Sequence, residues 1–273
     1  MSDRSPRRRP GRLTATLAAL ATVVGLTVAP AAALSRSSPA RPPAPLGVVG
    51  ADLSWPQCGQ RADAASPFMV VGVTDGRPFT ANPCLGAQWS ATGGRRAAAY
   101  MNVAFPGSLG PRAGVPIACP AGNVACAAWN AGWAEGADAL AVAARAGVDA
   151  RMWWLDVETA NTWSATPSLN AAILAGATSA LELGGRQVGV YSTRWMWSTI
   201  TGGWAPGLPA WLAIGDRGRD PRSHCGMGFD GGPVAMVQWV AGDRDVDLAC
   251  APALSHLDDL FGRGRRSWVS RRG

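Results

Sequence analysis

Asp156 and Glu158 stand two residues apart at the end of an apolar run, Met152-Trp153-Trp154-Leu155-Asp156-Val157-Glu158. In a strand, side chains alternate, so Met152, Trp154, Asp156 and Glu158 share one face while Trp153, Leu155 and Val157 take the other. Apolar residues on both sides are the pattern of a strand covered on both faces. Two carboxylates on a covered face are costly unless they are paired or put to use. One reading is a structural network in which arginine or backbone donors satisfy both. The other is acid–base chemistry. Two anions on one face repel and raise the proton affinity of one of them, and tryptophan surface from Trp154 or Trp239 adds desolvation in the same direction. One carboxyl then holds a proton that the other does not.

More acids fall at the ends of apolar stretches. Asp52 closes "GVVGADLSW", Asp75 closes "PFMVVGVTDG", and Asp245 and Asp247 follow "VAMVQWV". The stretches "RAAAYMNVAF", "ARMWWLDVE", "QVGVYST" and "PAWLAIG" also read as strands. Between them lie helical segments, "PCLGAQWSAT", the alanine-rich run from Ala127 to Gly147, and "SLNAAILAGATSALELGG" opened by Thr166-Pro167, with "LSHLDDLFG" last. Alternating strands and helices imply an α/β fold, either a TIM-like (β/α)-barrel, with irregularity allowed for, or a doubly wound sheet. Neither G-x-G-x-x-G nor a Walker pattern follows any strand, which argues against a nucleotide-binding sheet and a nucleotide cofactor. A single barrel domain is therefore expected, and in a barrel all these acids meet at the strand ends, where barrels carry their chemistry.

The ends of the chain differ from its middle. Residues 1–33 combine a basic start, an apolar stretch and the small-residue run "APAAA", and read as a secretory signal. An uncleaved membrane anchor is the alternative, but the apolar run is short and dotted with threonine. Residues 34–46 form a Pro/Ser-rich linker, 47–262 the barrel domain and 263–273 a basic tail. The formal charge of +7 comes from the ends, because between Leu46 and Gly262 there are 13 arginines against 17 acids, a balance of −4. The domain thus lacks the basic face that nucleic acid requires. The expected product is secreted or wall-associated, monomeric and not stably inserted in a membrane once the signal is removed.

An export signal with six cysteines makes disulfides the default. Six cysteines allow fifteen connectivities; the sequential one, Cys58–Cys84, Cys119–Cys126 and Cys225–Cys250, is the expectation. No C-x-x-C pair occurs and only His224 and His256 could supply imidazoles, so neither a metal site nor a Ser-His-Asp triad is expected. Most of the 13 tryptophans should be core, while Trp55, Trp195 and Trp239 at strand ends could offer flat faces for stacking on a ligand. Tyr191 is either a hydrogen-bond donor to substrate or a satisfied core tyrosine.

These segments resemble glycoside hydrolase family 25, the lysozymes or muramidases that cut peptidoglycan, in an exported actinobacterial form. "ADLSWPQ" resembles that family's D-x-S-x-x-Q opening, "VTDG" its T-E-G, "WWLDVE" its D-x-E strand, and "VQWVAGDRDVDL" with "HLDDLFG" its closing strand, terminal V-D and last helix. The similarity runs in order from Gly47 to Gly262. It implies a (β/α)-barrel with an acidic groove and no cofactor, acting on peptidoglycan or a related amino-sugar polymer. Glu158 then matches the general acid. Asp52, Asp156 and Asp247 match the carboxylates that orient substrate, stabilise the transition state, or act as base or nucleophile. Asp75, Tyr191, Trp239 and Trp55 are the expected substrate contacts. The chain departs from the family where it has Gly72 in place of a lysine, Tyr100-Met101-Asn102 in the third strand, and Ala249 after the terminal V-D-L. Those changes keep open an alternative, a glycan-binding wall protein on the same barrel with little or no turnover.

Overall fold

The computed structural model describes residues 47–60, 66–93, 96–110, 114–215, 220–242, 244–250 and 261. The leader, linker, basic tail and His256 lie outside the described residues, as does all of the last helix except Phe261. Eight strands close into a barrel in chain order: β1 (Val49–Leu53), β2 (Phe68–Gly72), β3 (Arg96–Asn102), β4 (Met152–Asp156), β5 (Gln187–Ser192), β6 (Ala210–Ala213), β7 (Val234–Ala241) and β8 (Arg244–Ala249). Neighbours from β1 to β7 are parallel, whereas β8 runs antiparallel to both β7 and β1. The helices are α1 (Leu85–Ala91), α2 (Val124–Arg145), α3 (Pro167–Leu183) and α4 (Arg194–Thr201), following β2, β3, β4 and β5.

The alternation read in β4 sorts its residues into two layers. Trp153, Leu155 and Val157 pack between strands and helices with Ile173, Leu174 and Leu181 of α3. Met152 and Trp154 fill the barrel with Phe68, Trp211 and Met236. Large aromatics need room inside so small a barrel, and glycine supplies it. A Cβ on Gly189 would lie 2.4 Å from the Trp154 ring, and one on Gly72 2.7 Å from Tyr100. Phe261 stacks on Phe68 with ring centroids 4.5 Å apart, so the chain's last described residue helps fill the interior.

Two elements differ from the sequence reading. Asp245 and Asp247 do not trail the last strand; they belong to β8, formed because Gly242 (φ 72°) turns the chain back and Asp245-Val246-Asp247-Leu248 alternates. The segment after β5 forms α4, capped by Thr193 Oγ1 accepting from the Met196 amide at 3.0 Å and ended by Gly202 at φ 67°.

Helices α2 and α3 touch backbone to backbone. A Cβ on Gly132 would sit 1.8 Å from the Ile173 carbonyl oxygen, and one on Gly176 1.9 Å from that of Trp129. Neither backbone can yield without parting the helices. Gly132→Ala is therefore expected to cost about 3 kcal/mol, at the upper end of overpacking penalties. Chemical denaturation would measure it, and a loss under about 0.5 kcal/mol would show that the helices separate freely.

The disulfides are Cys58–Cys84, Cys119–Cys126 and Cys225–Cys250, with Cα separations of 5.7, 5.6 and 5.5 Å, and no cysteine is free. The first ties the turn after β1 to the start of α1, and the second the loop after β3 to the first turn of α2. No helix of the described residues is long and apolar enough to cross a membrane.

Candidate active site

Asp52 on β1, Asp156 and Glu158 at the end of β4, and Asp245 and Asp247 on β8 converge at the strand-end mouth of the barrel. Each alters the proton affinity of another, and among the described residues every neighbouring charge that acts on them is negative. They differ in depth. Asp247 is fully buried and Asp156 nearly so, while Asp52 and Glu158 are half-buried at the opening.

Each acid is held by a different set of neighbours. Asn102 at the end of β3 donates its Nδ2 to Asp156 Oδ2, and Asn102 Oδ1 accepts from Thr74 Oγ1 at 2.7 Å. Asp156 Oδ1 is buried without a hydrogen-bond partner. Asp52 Oδ2 accepts from Gln238 Nε2 at 3.0 Å, and Gln238 Oε1 in turn accepts from the Tyr191 hydroxyl at 2.7 Å. Trp211 Nε1 donates to Asp247 Oδ1 at 2.8 Å. Asp247 pairs with Gly50, two residues before Asp52 on the same face of β1, so the two carboxyls are diagonal neighbours.

Burial raises every one of these acids, because low-dielectric surroundings disfavour the anion. Asp52 rises to about 7, chiefly by burial and then by the charge of Asp245, against the lowering effect of its hydrogen bond with Gln238. Asp156 lies well above the usual carboxylate range through burial and the charges of Glu158 and Asp52. Glu158 is raised by burial and by Asp245. In the free protein the deeper Asp156 thus takes the first proton of the pair, a choice that the sequence left open.

The native protein binds more protons than the unfolded chain wherever a folded pKa lies above the unfolded one, so stability falls as pH rises through that window. For Asp52 the window runs from about 4 to about 7. The thermal midpoint is expected to be higher at pH 5 than at pH 8, with a smaller difference in Asp52→Asn. A midpoint that rises over this range equally in both proteins would contradict the arrangement.

The other expected contacts are placed unevenly. Tyr191 reaches the site through Gln238 and packs on Trp211 with ring centroids 4.6 Å apart. Trp55 is exposed at the mouth in a 3-10 turn, Trp55–Gln57. Ser54 and Gln57 of the D-x-S-x-x-Q pattern build that turn, Gln57 Oε1 accepting from the Ser54 amide at 2.9 Å, so only Asp52 of the pattern enters the site. Asp75 does not close β2. It sits three residues beyond it, its amide donating to Thr80 Oγ1 at 2.9 Å, because the chain turns away after Thr74. Trp239 follows Gln238 on β7 and therefore points to the opposite face of the strand from the acids. Gln238, Trp211, Asn102 and Thr74 were not singled out from sequence as site residues. A lone polar residue in the apolar "AMVQW" was the available signal for Gln238. Tyr100 crosses the space above Gly72, the position where the resemblance leads one to expect a lysine.

A closed eight-stranded α/β barrel with a carboxyl cluster at its strand ends defines a TIM-like class, and known proteins narrow it. The model of the family described as lysozyme-like protein 1 matches residues 131–216. A probable family 25 lysozyme of Dictyostelium discoideum is 32% identical over 101 residues, covering 29% of this chain and 47% of that protein. The match thus spans about half the length of that relative. Among solved structures, a family 25 lysozyme from Aspergillus fumigatus superposes with a TM-score of 0.53 at 15% identity, over 79% of this chain and 99% of that one. The modular autolysin LytC from Streptococcus pneumoniae, in complex with a synthetic peptidoglycan ligand, gives 0.52 at 12% identity over 74% of this chain and 46% of that one. The chain is therefore similar to family 25 lysozymes over part of its length and shares the barrel fold of their solved structures.

Proposed function

We propose that this protein is an exported glycosidase that cleaves peptidoglycan or a related amino-sugar polymer. The observation that carries the reading is the convergence of Asp52, Asp156, Glu158 and Asp247 from three strands into one mouth, where each perturbs another. Glycoside hydrolysis needs a carboxyl that delivers a proton to the leaving oxygen and another that faces the oxocarbenium-like charge as an anion. Glu158, half-buried at the opening, is the donor; a sugar laid over it removes water and strengthens its hold on the proton. Asp52 is the anion, favoured in that form by Gln238, and growing positive charge on the sugar ring draws it further toward ionisation. Asp156, held by Asn102 behind the opening, supports Glu158 through the repulsion between their charges. Trp55 offers an exposed face for a sugar, and Tyr191 acts through Gln238.

Three features support the reading beside its family likeness. Asn102, where the sequence departs from the family, supports Asp156 directly. Gly72, the lost lysine position, makes room for Tyr100 instead of leaving a hole. Three disulfides suit an oxidising, extracellular setting. The test is digestion of purified cell wall, borohydride reduction and mass spectrometry of the soluble products. Fragments with reduced muramic acid ends are expected. Wall left intact after prolonged digestion would overturn the reading in favour of a binding protein on the same barrel.

A further inference from the structure

Asp247 differs from the other acids in how it is enclosed. It is fully buried, paired across β8 with Gly50 on one side and Gln238 on the other. Its Oδ1 accepts from Trp211 Nε1, a group that can only donate. Its Oδ2 is buried without a hydrogen-bond partner, and the carboxyl of Asp52, two residues beyond Gly50 on the same face of β1, is its diagonal neighbour. Asp52 Oδ2 already accepts from Gln238 Nε2. A fully buried carboxyl with a single N–H donor and another carboxyl beside it is relieved when one of the two carries a proton and donates it to the other. Gln238 selects which: its amide donor faces Asp52 while its carbonyl is taken by the Tyr191 hydroxyl, so the anionic form is supported on Asp52.

We propose that Asp247 works as a neutral carboxylic acid that donates its proton-bearing oxygen to Asp52, with Trp211 and Gln238 as the positioning residues that fix this arrangement. Asp247 is then no second anion of the groove but a buried donor that holds Asp52 in place. The groups facing it fit: Asp52 from β1 and Asp245 from its own strand are acidic, Trp211 and Gln238 are neutral, and the acids of β4 stand across the barrel. Burial and the charge of Asp52 both raise its proton affinity, which agrees with the geometry. The proposal rests on the glycosidase reading only for its effect on turnover.

An amide is the closest mimic of a neutral carboxylic acid, since it can donate to Asp52 and accept from Trp211. Asp247→Asn is expected to retain at least about tenfold more activity on cell wall than Asp247→Ala, and at pH 8 to unfold at or above the wild-type temperature. Gln238→Met removes the donor that favours ionised Asp52 and should move the acid limb of the pH–rate profile up by about one pH unit. Carboxyl carbon NMR of the wild type reads the proton without turnover: Asp247 should show the protonated shift at pH 7 while Asp52 titrates. A carboxylate shift for Asp247 at pH 7, or an Asn variant as impaired as Ala in both activity and stability, would overturn the proposal. A wild type inactive on wall would remove the glycosidase reading and leave the carbon shift to decide where the proton sits.

Discussion

Glu158→Gln is expected to release reducing ends from purified wall about 10²–10⁴-fold more slowly than the wild type, the usual contribution of general acid catalysis. The amide keeps the size and hydrogen-bonding reach of the side chain and loses only the transferable proton. Folding should survive, because the change removes an anion that burial and Asp245 both disfavour. The thermal midpoint at pH 7 should therefore match or exceed that of the wild type. A variant that is fully active but less stable would mean that Glu158 serves the barrel's structure, the plainer of the two readings of this carboxyl pair.

Asp52→Asn is expected to lower activity by about 10²–10³-fold, the scale seen when one electrostatic contact to a developing charge is removed. Its neighbours can stay, since an amide oxygen still accepts from Gln238 Nε2. What disappears is the anion. An interaction made in the transition state alone lowers kcat and kcat/KM together, whereas a pure binding contact raises KM. A rise in KM with unchanged kcat would reassign Asp52 to substrate positioning. Because Asp52 titrates near 7, the wild-type rate should also rise as pH climbs toward neutrality, and this limb should be missing from the residual activity of Asp52→Asn.

Much of the site was legible because it depends on local periodicity. The alternation in Met152–Glu158 fixes which side chains enter the barrel, and Trp153 and Trp154 fall into different layers as that alternation requires. Acids at the ends of apolar runs likewise pointed to one face. What escaped depends on closure. Asp245 and Asp247 read as following the last strand because Arg244-Asp245-Val246-Asp247 is rich in charge, and its strand character comes from pairing with both β7 and β1. Gln238 meets Asp52 across 186 residues, a contact set by barrel register and not by any local pattern. Trp239 was the more conspicuous residue, but in a strand one position is the difference between two faces. The burial that ranks Asp156 above Glu158 in proton affinity is likewise a property of the assembled mouth.

The central claim, that this acidic mouth cleaves a wall glycan and does not merely hold it, is tested most directly in a paired sedimentation and turnover assay. Wild type and Glu158→Gln are incubated with insoluble peptidoglycan, and protein in the pellet and reducing ends in the supernatant are measured from the same tubes. Both proteins should sediment with the wall to a similar extent, and the wild type alone should release reducing ends at an appreciable rate. A wild type that sediments with the wall yet releases no more reducing ends than Glu158→Gln would contradict it.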